Sequence, residues 1–333
     1  MLLLLGISAV HLALARTGGA QSFAPPASPY GLLPGEFVIR TYLTNNYLTA
    51  RDGGRHTDDA VITSATTPGP NEKFKLSKIG PNYTAIQTLQ GYYVSAANGG
   101  GLGANFDASQ VLHTYVTSLV DSAKFRLIGP SAAGNSAIGT VNGHLLTALG
   151  GGGKATHAFH TDATVASTWE AFWVLKSGDL GSGFRYAIRP VGTGVSIVNF
   201  LTALGGGGRP APAVTHFSGL APESQFTLIR LEDGSYALQT ANGFNYVTAV
   251  DGGGLSSGAD NLETDATQIG PWEKFKIVDQ GDATYTIQTV SGFYLGVNTH
   301  VLQTIGGIST RISDPNAAPQ IGYTAKFELM MEP

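Results

Sequence analysis

Apolar residues along this chain recur in short alternating runs rather than at helical spacing. In "EKFKL" Phe74 and Leu76 share one face with lysines between them, and "EKFKI" repeats the pattern with Phe275 and Ile277. A period of two predicts half-buried antiparallel strands. No 3.6-residue period survives beyond a single turn, so helix is expected to be nearly absent.

Laid on itself, the chain returns three landmarks in fixed order, the mark of an internal repeat. The first is an alternating strand: "FVIRT" at Phe37, "YTAIQT" at Tyr83, "SAIGT" at Ser136, "YAIRP" at Tyr186, "YALQT" at Tyr236 and "YTIQT" at Tyr285. The second is an apolar pair, a small polar residue and then glycines: "YLTARDGG" at Tyr47, "YVSAANGGG" at Tyr93, "LLTALGGGG" at Leu145, "FLTALGGGG" at Phe200 and "YVTAVDGGG" at Tyr246. In the sixth copy, "YLGVNTH" at Tyr294, the glycines are missing and any site is expected to be degenerate. The third is a closing strand around Phe74, Phe125, Phe172, Phe226, Phe275 or Phe327, spaced by 51, 47, 54, 49 and 52 residues on subtraction.

Six units of this length would suit a six-bladed propeller as well as two sets of three. The reading adopted is all-β: two tandem β-trefoils, 37–178 and 185–332, joined by "DLGSGF" from Asp179 to Phe184. In each, three four-stranded units would close around a pseudo-threefold axis. The recurring Ile, Leu or Val of the first strand, the Leu or Val of the second and the closing Phe are the expected core. Burial of such side chains is worth about 1.5–3 kcal/mol each, enough to support two domains. The short linker predicts that the trefoils pack together.

Composition agrees: 45 glycines without a G-x-y period argue against collagen and against helices, which interior glycine weakens. A net charge of −4 provides no basic field, so a nucleic-acid partner is not expected. The absence of cysteine excludes disulfides, thiolate metal sites and cysteine nucleophiles. At the N-terminus an apolar run from Leu2 to Ala15 is shorter than the roughly 20 residues of a membrane span and suits a signal peptide. Ala13-Leu14-Ala15 fits a cleavage pattern, Ala20 offers a second, and no Lys or Arg precedes the run. Residues 1–20 are therefore expected to be a signal peptide or N-terminal anchor, followed by a Pro-rich linker over 21–36. The expected location is secreted or periplasmic, with no membrane span after cleavage.

"NGFNYVTAVDGGG", then "ETDATQIGPWEKFKI" from Glu263 to Ile277, resembles the repeat of fascin-like, actin-crosslinking-type β-trefoil domains, and "HTDATVASTWEAFWVL" from His160 is a second copy. The resemblance runs from about residue 37 to 332. It implies the trefoil fold and two partners: actin filaments, which fascins bundle with four trefoils, or glycans, the suspected ligand of related modules on secreted proteins. This chain has two trefoil units and lacks the Gln-x-Trp of ricin-type lectins.

"GGGGKAT" at Gly150 has the wrong spacing for a Walker loop and no helix follows, and "GGGGRPAP" carries Pro210, so the glycines are read as positive-φ turns. His157 and His160 form an H-x-x-H whose spacing on a strand separates the two rings, so no metal is expected. Asp162 and Asp265 of the "TDAT" motifs, with Asp58 similar, are short acids that either cap turn N–H groups or accept sugar hydroxyls. Trp169 and Trp272 stand at equivalent places before the closing Phe, as end caps or as platforms for a sugar ring. Trp173, next to core Phe172, faces outward or toward the other trefoil. Glu72, Glu170, Glu223 and Glu273 sit at repeat positions that spread them around the axis rather than converging them, and no hydrolase motif occurs, so no enzyme activity or cofactor is expected. The expected function is a secreted, non-catalytic carbohydrate-binding protein using His160, Asp162, Trp169, Asp251, Asp265 and Trp272. The alternative is an actin filament binding or crosslinking protein.

Overall fold

The computed structural model describes residues 31–192, 199–208, 213–216, 219–255, 261–298, 308–321 and 323–331. The expected leader, most of the Pro-rich linker and the stretch after Asn298 in the sixth copy lie outside them. Among the described residues, helix is confined to single 3-10 turns of three or four residues, and none is long and apolar enough to cross a membrane.

Six strands of the first half close into a ring: Glu36–Thr41, Lys73–Ile79, Tyr83–Thr88, Lys124–Ile128, Ser136–Gly139 and Ala171–Ser177, the last returning to pair with the first. Three hairpins cover one end of this barrel: Tyr47–Ala50 with Val61–Ala65, Tyr93–Ala96 with Leu112–Val116, and Leu145–Ala148 with Phe159–Ala163. The short strand Gly31–Leu32 adds to Lys73–Ile79 from outside. The second half repeats the plan. Phe184–Pro190, Gln225–Arg230, Tyr236–Gln239, Lys276–Asp279, Tyr285–Gln288 and Phe327–Met331 form the ring, with the third and fourth joined by a bridge between Tyr236 and Phe275. Both halves are β-trefoils.

The eighteen repeat positions become two cores. Phe74, Phe125 and Phe172 meet Ile39, Ile86, Ile138, Leu48, Val94 and Leu146 in one, and Phe226, Phe275 and Phe327 meet their counterparts in the other. Strict alternation fails at one place in five of the six copies. Tyr47 and Leu48 are both buried, as are Leu145 and Leu146, because the pairing register shifts there. A bulge lets successive side chains point inward.

The trefoils dock through a third apolar cluster that includes Val38, Trp173, Leu175, Ala187, Phe200 and Met330. Trp173 is thus turned toward the second trefoil. The Arg189 guanidinium stacks 4.0 Å from its ring centre and pairs with the buried Glu328 carboxylate, which also meets Arg40 of the first trefoil at 2.9 Å. The linker is folded in as well. Gly178 N–H donates to Asp279 at 2.8 Å, the Tyr285 hydroxyl donates back to the Gly178 carbonyl at 3.0 Å, and Leu180 is buried.

At this junction Lys176 is fully buried. Its ammonium donates to the carbonyls of Pro34 and Glu36 and lies 4.4 Å from the Phe37 ring centre. Desolvation lowers its pKa to about 8, although the carboxylates of Asp179, Glu36 and Asp279 pull the other way. The folded chain therefore sheds this proton at lower pH than the unfolded chain. Between the two values the unfolded state holds more protons, and stability rises with pH. Relative to Lys176→Met, the wild type is expected to gain about 2 kcal/mol of unfolding free energy from pH 7.5 to 10. Urea titrations of both proteins across that range measure it, and a constant difference would refute the assignment. The buried hydroxyls of Tyr186 and Tyr285, both raised by desolvation, act oppositely at higher pH but are common to both proteins.

Candidate functional site: clefts between repeats

Each glycine turn begins with a residue held at positive φ: Asp52, Asn98, Gly150, Gly205 or Asp251, at +47° to +68°. Asp, Asn and Gly are the residues that visit this region at least cost. The later glycines are required for a second reason. A Cβ on Gly100, whose φ is +100°, would stand 2.3 Å from the Thr140 hydroxyl, and one on Gly152 would stand 2.5 Å from that of Thr44. The turn of each of the first five copies is pressed against the next copy in its ring.

Hydrogen bonds follow the same circuit. The N–H groups of Arg55, Gly101 and Gly153 donate to the carbonyls of Thr114, Thr161 and Thr63 at 2.8, 2.7 and 3.0 Å. Copy one leans on two, two on three, and three returns to one. Gly208 and Gly254 repeat the contact to Thr264 and Thr310. The threonine of each "TDAT" is consequently buried, and its role is to join copies. The seams where a described turn meets the next hairpin are the candidate clefts.

These clefts divide the residues expected to act together. Asp265 lies next to the preceding copy, because the carbonyl of its neighbour Thr264 accepts the Gly208 N–H of copy four at 2.7 Å. Asp162 lies against Gly103 of copy two, where an added Cβ would collide with its carboxylate. Both aspartates are exposed, and neither carboxylate accepts a hydrogen bond among the described residues, so the expected capping of turn N–H groups is not made. They occupy the outward phase of their strands. Trp272 instead borders its own copy's turn. Its indole Cδ1 is 3.4 Å from where a Gly252 Cβ would stand, beside exposed Asp251 and opposite Val290 and Ser291 of copy six. Ser291 N–H donates to the Gly252 carbonyl at 3.2 Å. Trp169 has the equivalent place: its carbonyl accepts the Ala148 N–H at 2.9 Å, and across the cleft Leu43 covers Gly151 while the Thr44 hydroxyl donates to the Gly151 carbonyl at 3.0 Å. Neither indole is a buried end cap, since Trp169 is 41% and Trp272 45% exposed.

His160 is half-buried opposite Thr147. His157 leaves the strand geometry at φ +50°, donates its N–H to Asp59 at 2.6 Å and places its ring 3.5 Å from Asp107. Among the described residues no group of three His, Asp or Glu could hold a metal. The glutamates under the tryptophans are structural. Glu170 accepts from Thr147 at 2.8 Å and from the Ser167 N–H and hydroxyl, and Glu273 accepts from Thr248 and the Gly270 N–H, each at 2.7 Å. Burial raises the Glu170 pKa, but these hydrogen bonds outweigh it and hold the carboxyl below its usual range. Glu72 caps Gly69 in the same way. Glu223 does not share this position. Ser224 takes it, pairing with Thr202 at 2.9 Å, because Glu223 is one residue out of register.

Leu43, Val290 and Ser291 were not legible as site residues from any one repeat. Their signal was available only across copies, as the residues following the strand-end threonine of the copy that comes next in the ring.

No protein-family model matches the chain, and no curated protein matches it. Solved structures provide distant likenesses. The chain is similar to a mosquitocidal holotoxin at 12% identity, covering 90% of this chain and 34% of that one, with a TM-score of 0.36. It thus spans about a third of the holotoxin's length. It is also similar to ThreeFoil, a designed threefold-symmetric protein, at 13% identity over 43% of this chain and 99% of that one, TM-score 0.37. The Rhizoctonia solani agglutinin is similar at 16% identity over 45% of this chain and 98% of that one, TM-score 0.34.

Proposed function

We propose that this is a secreted, non-catalytic binding protein of the fascin-like trefoil kind that recognises carbohydrate in the clefts between repeats. The observation that carries this reading is the Trp272 cleft. A half-exposed indole there stands beside a glycine turn that carries the exposed Asp251, with the Ser291 hydroxyl across the seam. An aromatic face takes the apolar face of a sugar ring, and short polar groups around it select hydroxyls. Trp169 supplies the same platform on the first trefoil. The carboxylates nearest the indoles, Glu170 and Glu273, are buried and already hydrogen-bonded, which favours binding over hydrolysis.

Retention on a panel of insoluble polysaccharides tests the reading, with sedimentation alongside actin filaments as the comparison. Trp272→Ala and Trp169→Ala are each expected to weaken retention about tenfold, with unchanged unfolding midpoints because both rings are exposed. Sedimentation with filaments, combined with retention by no glycan, would overturn the proposal in favour of an actin-binding protein.

A further inference from the structure

Only copies three and five carry a tryptophan before the closing Phe; the other copies have Asn71, Ser122, Glu223 and Thr324 there. The copies that face these two indoles present the exposed aliphatic side chains Leu43, 52% exposed, and Val290, 53% exposed. Among the described residues, each trefoil therefore has a cleft with an indole on one wall and an aliphatic side chain on the other. Beneath them the two clefts share the same buried glutamate, with both its oxygens hydrogen-bonded, so that charge is common to both.

They differ at the turn. Where the second trefoil has Asp251, the first has Gly150. Where the second has Leu255, the first has Lys154, and the equivalence is fixed by bonding: the Leu255 N–H donates to the Thr310 hydroxyl and the Lys154 N–H to that of Thr63, both at 3.1 Å. Lys154 is exposed, its Cε lies 3.5 Å from where a Gly150 Cβ would stand, and it has no acidic partner among the described residues. Asp251 is likewise exposed. One cleft thus carries a free cation and the other a free anion.

We infer that the two clefts select different glycans. The Trp169 cleft takes an acidic saccharide, one bearing a carboxylate or sulfate that meets Lys154, and the Trp272 cleft takes a neutral one through Asp251. The inference rests on the carbohydrate reading above. It makes the protein a bivalent link between an acidic and a neutral polysaccharide, with avidity from two weak sites on one rigid body.

The test uses the full chain with matched polymers: polygalacturonate and its fully methyl-esterified form, with hyaluronan and a neutral galactan as a second pair. Trp169→Ala and Lys154→Gln are each expected to weaken binding to the acidic polymers about tenfold and to leave neutral ones unchanged. Trp272→Ala is expected to do the reverse, and Asp251→Asn to weaken neutral binding alone. Acidic binding should fall between about 0.05 and 0.3 M salt, while neutral binding should not. If one variant abolishes acidic and neutral binding together, or Lys154→Gln leaves acidic binding intact, the charge assignment is wrong although carbohydrate recognition stands. If no acidic polymer is retained while neutral ones are, the assignment also falls. If nothing is retained, both readings fall.

Discussion

Replacing Glu328 by alanine is expected to lower the unfolding free energy by about 3–5 kcal/mol. Glu328 is 1% exposed and lies between Arg189 of its own trefoil and Arg40 of the other. Removing its carboxylate leaves two guanidinium groups at the domain junction without their counter-charge. Arg189 cannot turn to water, because it is 5% exposed and stacked on Trp173. The large effect is therefore the penalty of an uncompensated buried charge, and does not measure the attraction in the intact cluster. An exposed pair in the same region supplies the contrast. Arg230 and Asp179 are 3.1 Å apart with both side chains about half exposed, and Arg230→Ala should cost only about 0.2–1 kcal/mol. Urea denaturation of the two variants side by side measures the difference. An equal, small shift in both would show that the buried cluster does not hold the trefoils together.

A second large effect is expected at the glycine turns. Gly100→Val should destabilise by about 2–5 kcal/mol, combining about 1–2 for a left-handed backbone with about 1–3 for overpacking. The overpacking arises because a Cβ there would meet all three nearby heavy atoms of Thr140 at 2.3 to 2.8 Å. Gly234 separates the two contributions. Its φ is +81° but nothing lies within 4 Å of an added methyl, so Gly234→Ala should show only the backbone part, about 1–2 kcal/mol. If Gly100→Val were no worse than Gly234→Ala, the close approach between copies would contribute nothing to the joint. Thermal or chemical unfolding of both variants decides it.

Much of the fold was legible in the chain. Phe74, Phe125, Phe172 and their three counterparts could be recognised as core because alternation shows which side of a strand is apolar, and six repetitions remove the ambiguity of any one run. The turns could be recognised because runs of glycine after a strand favour positive φ. The site was only partly legible. Trp169 and Trp272 stood out as equivalent and aromatic, yet whether they were caps or platforms depended on their exposure. Glu223 was grouped with Glu170 and Glu273 from spacing, and a one-residue offset gave the position to Ser224 instead.

The repeat, its strands, its turns and the residues of each core were determined by the sequence alone, because each depends on local conformational preference or on a period of two. Which copies meet was decided only when three units closed into a ring. That closure sets the strand of Asp265 against copy four and Trp272 against copy six, although seven positions separate the two residues. Packing of the two closed rings then brings Arg40 to Glu328 across the domain junction. Local patterning specifies which face of a strand is apolar. The partner of that face, and of every residue at its edge, depends on closing the barrel.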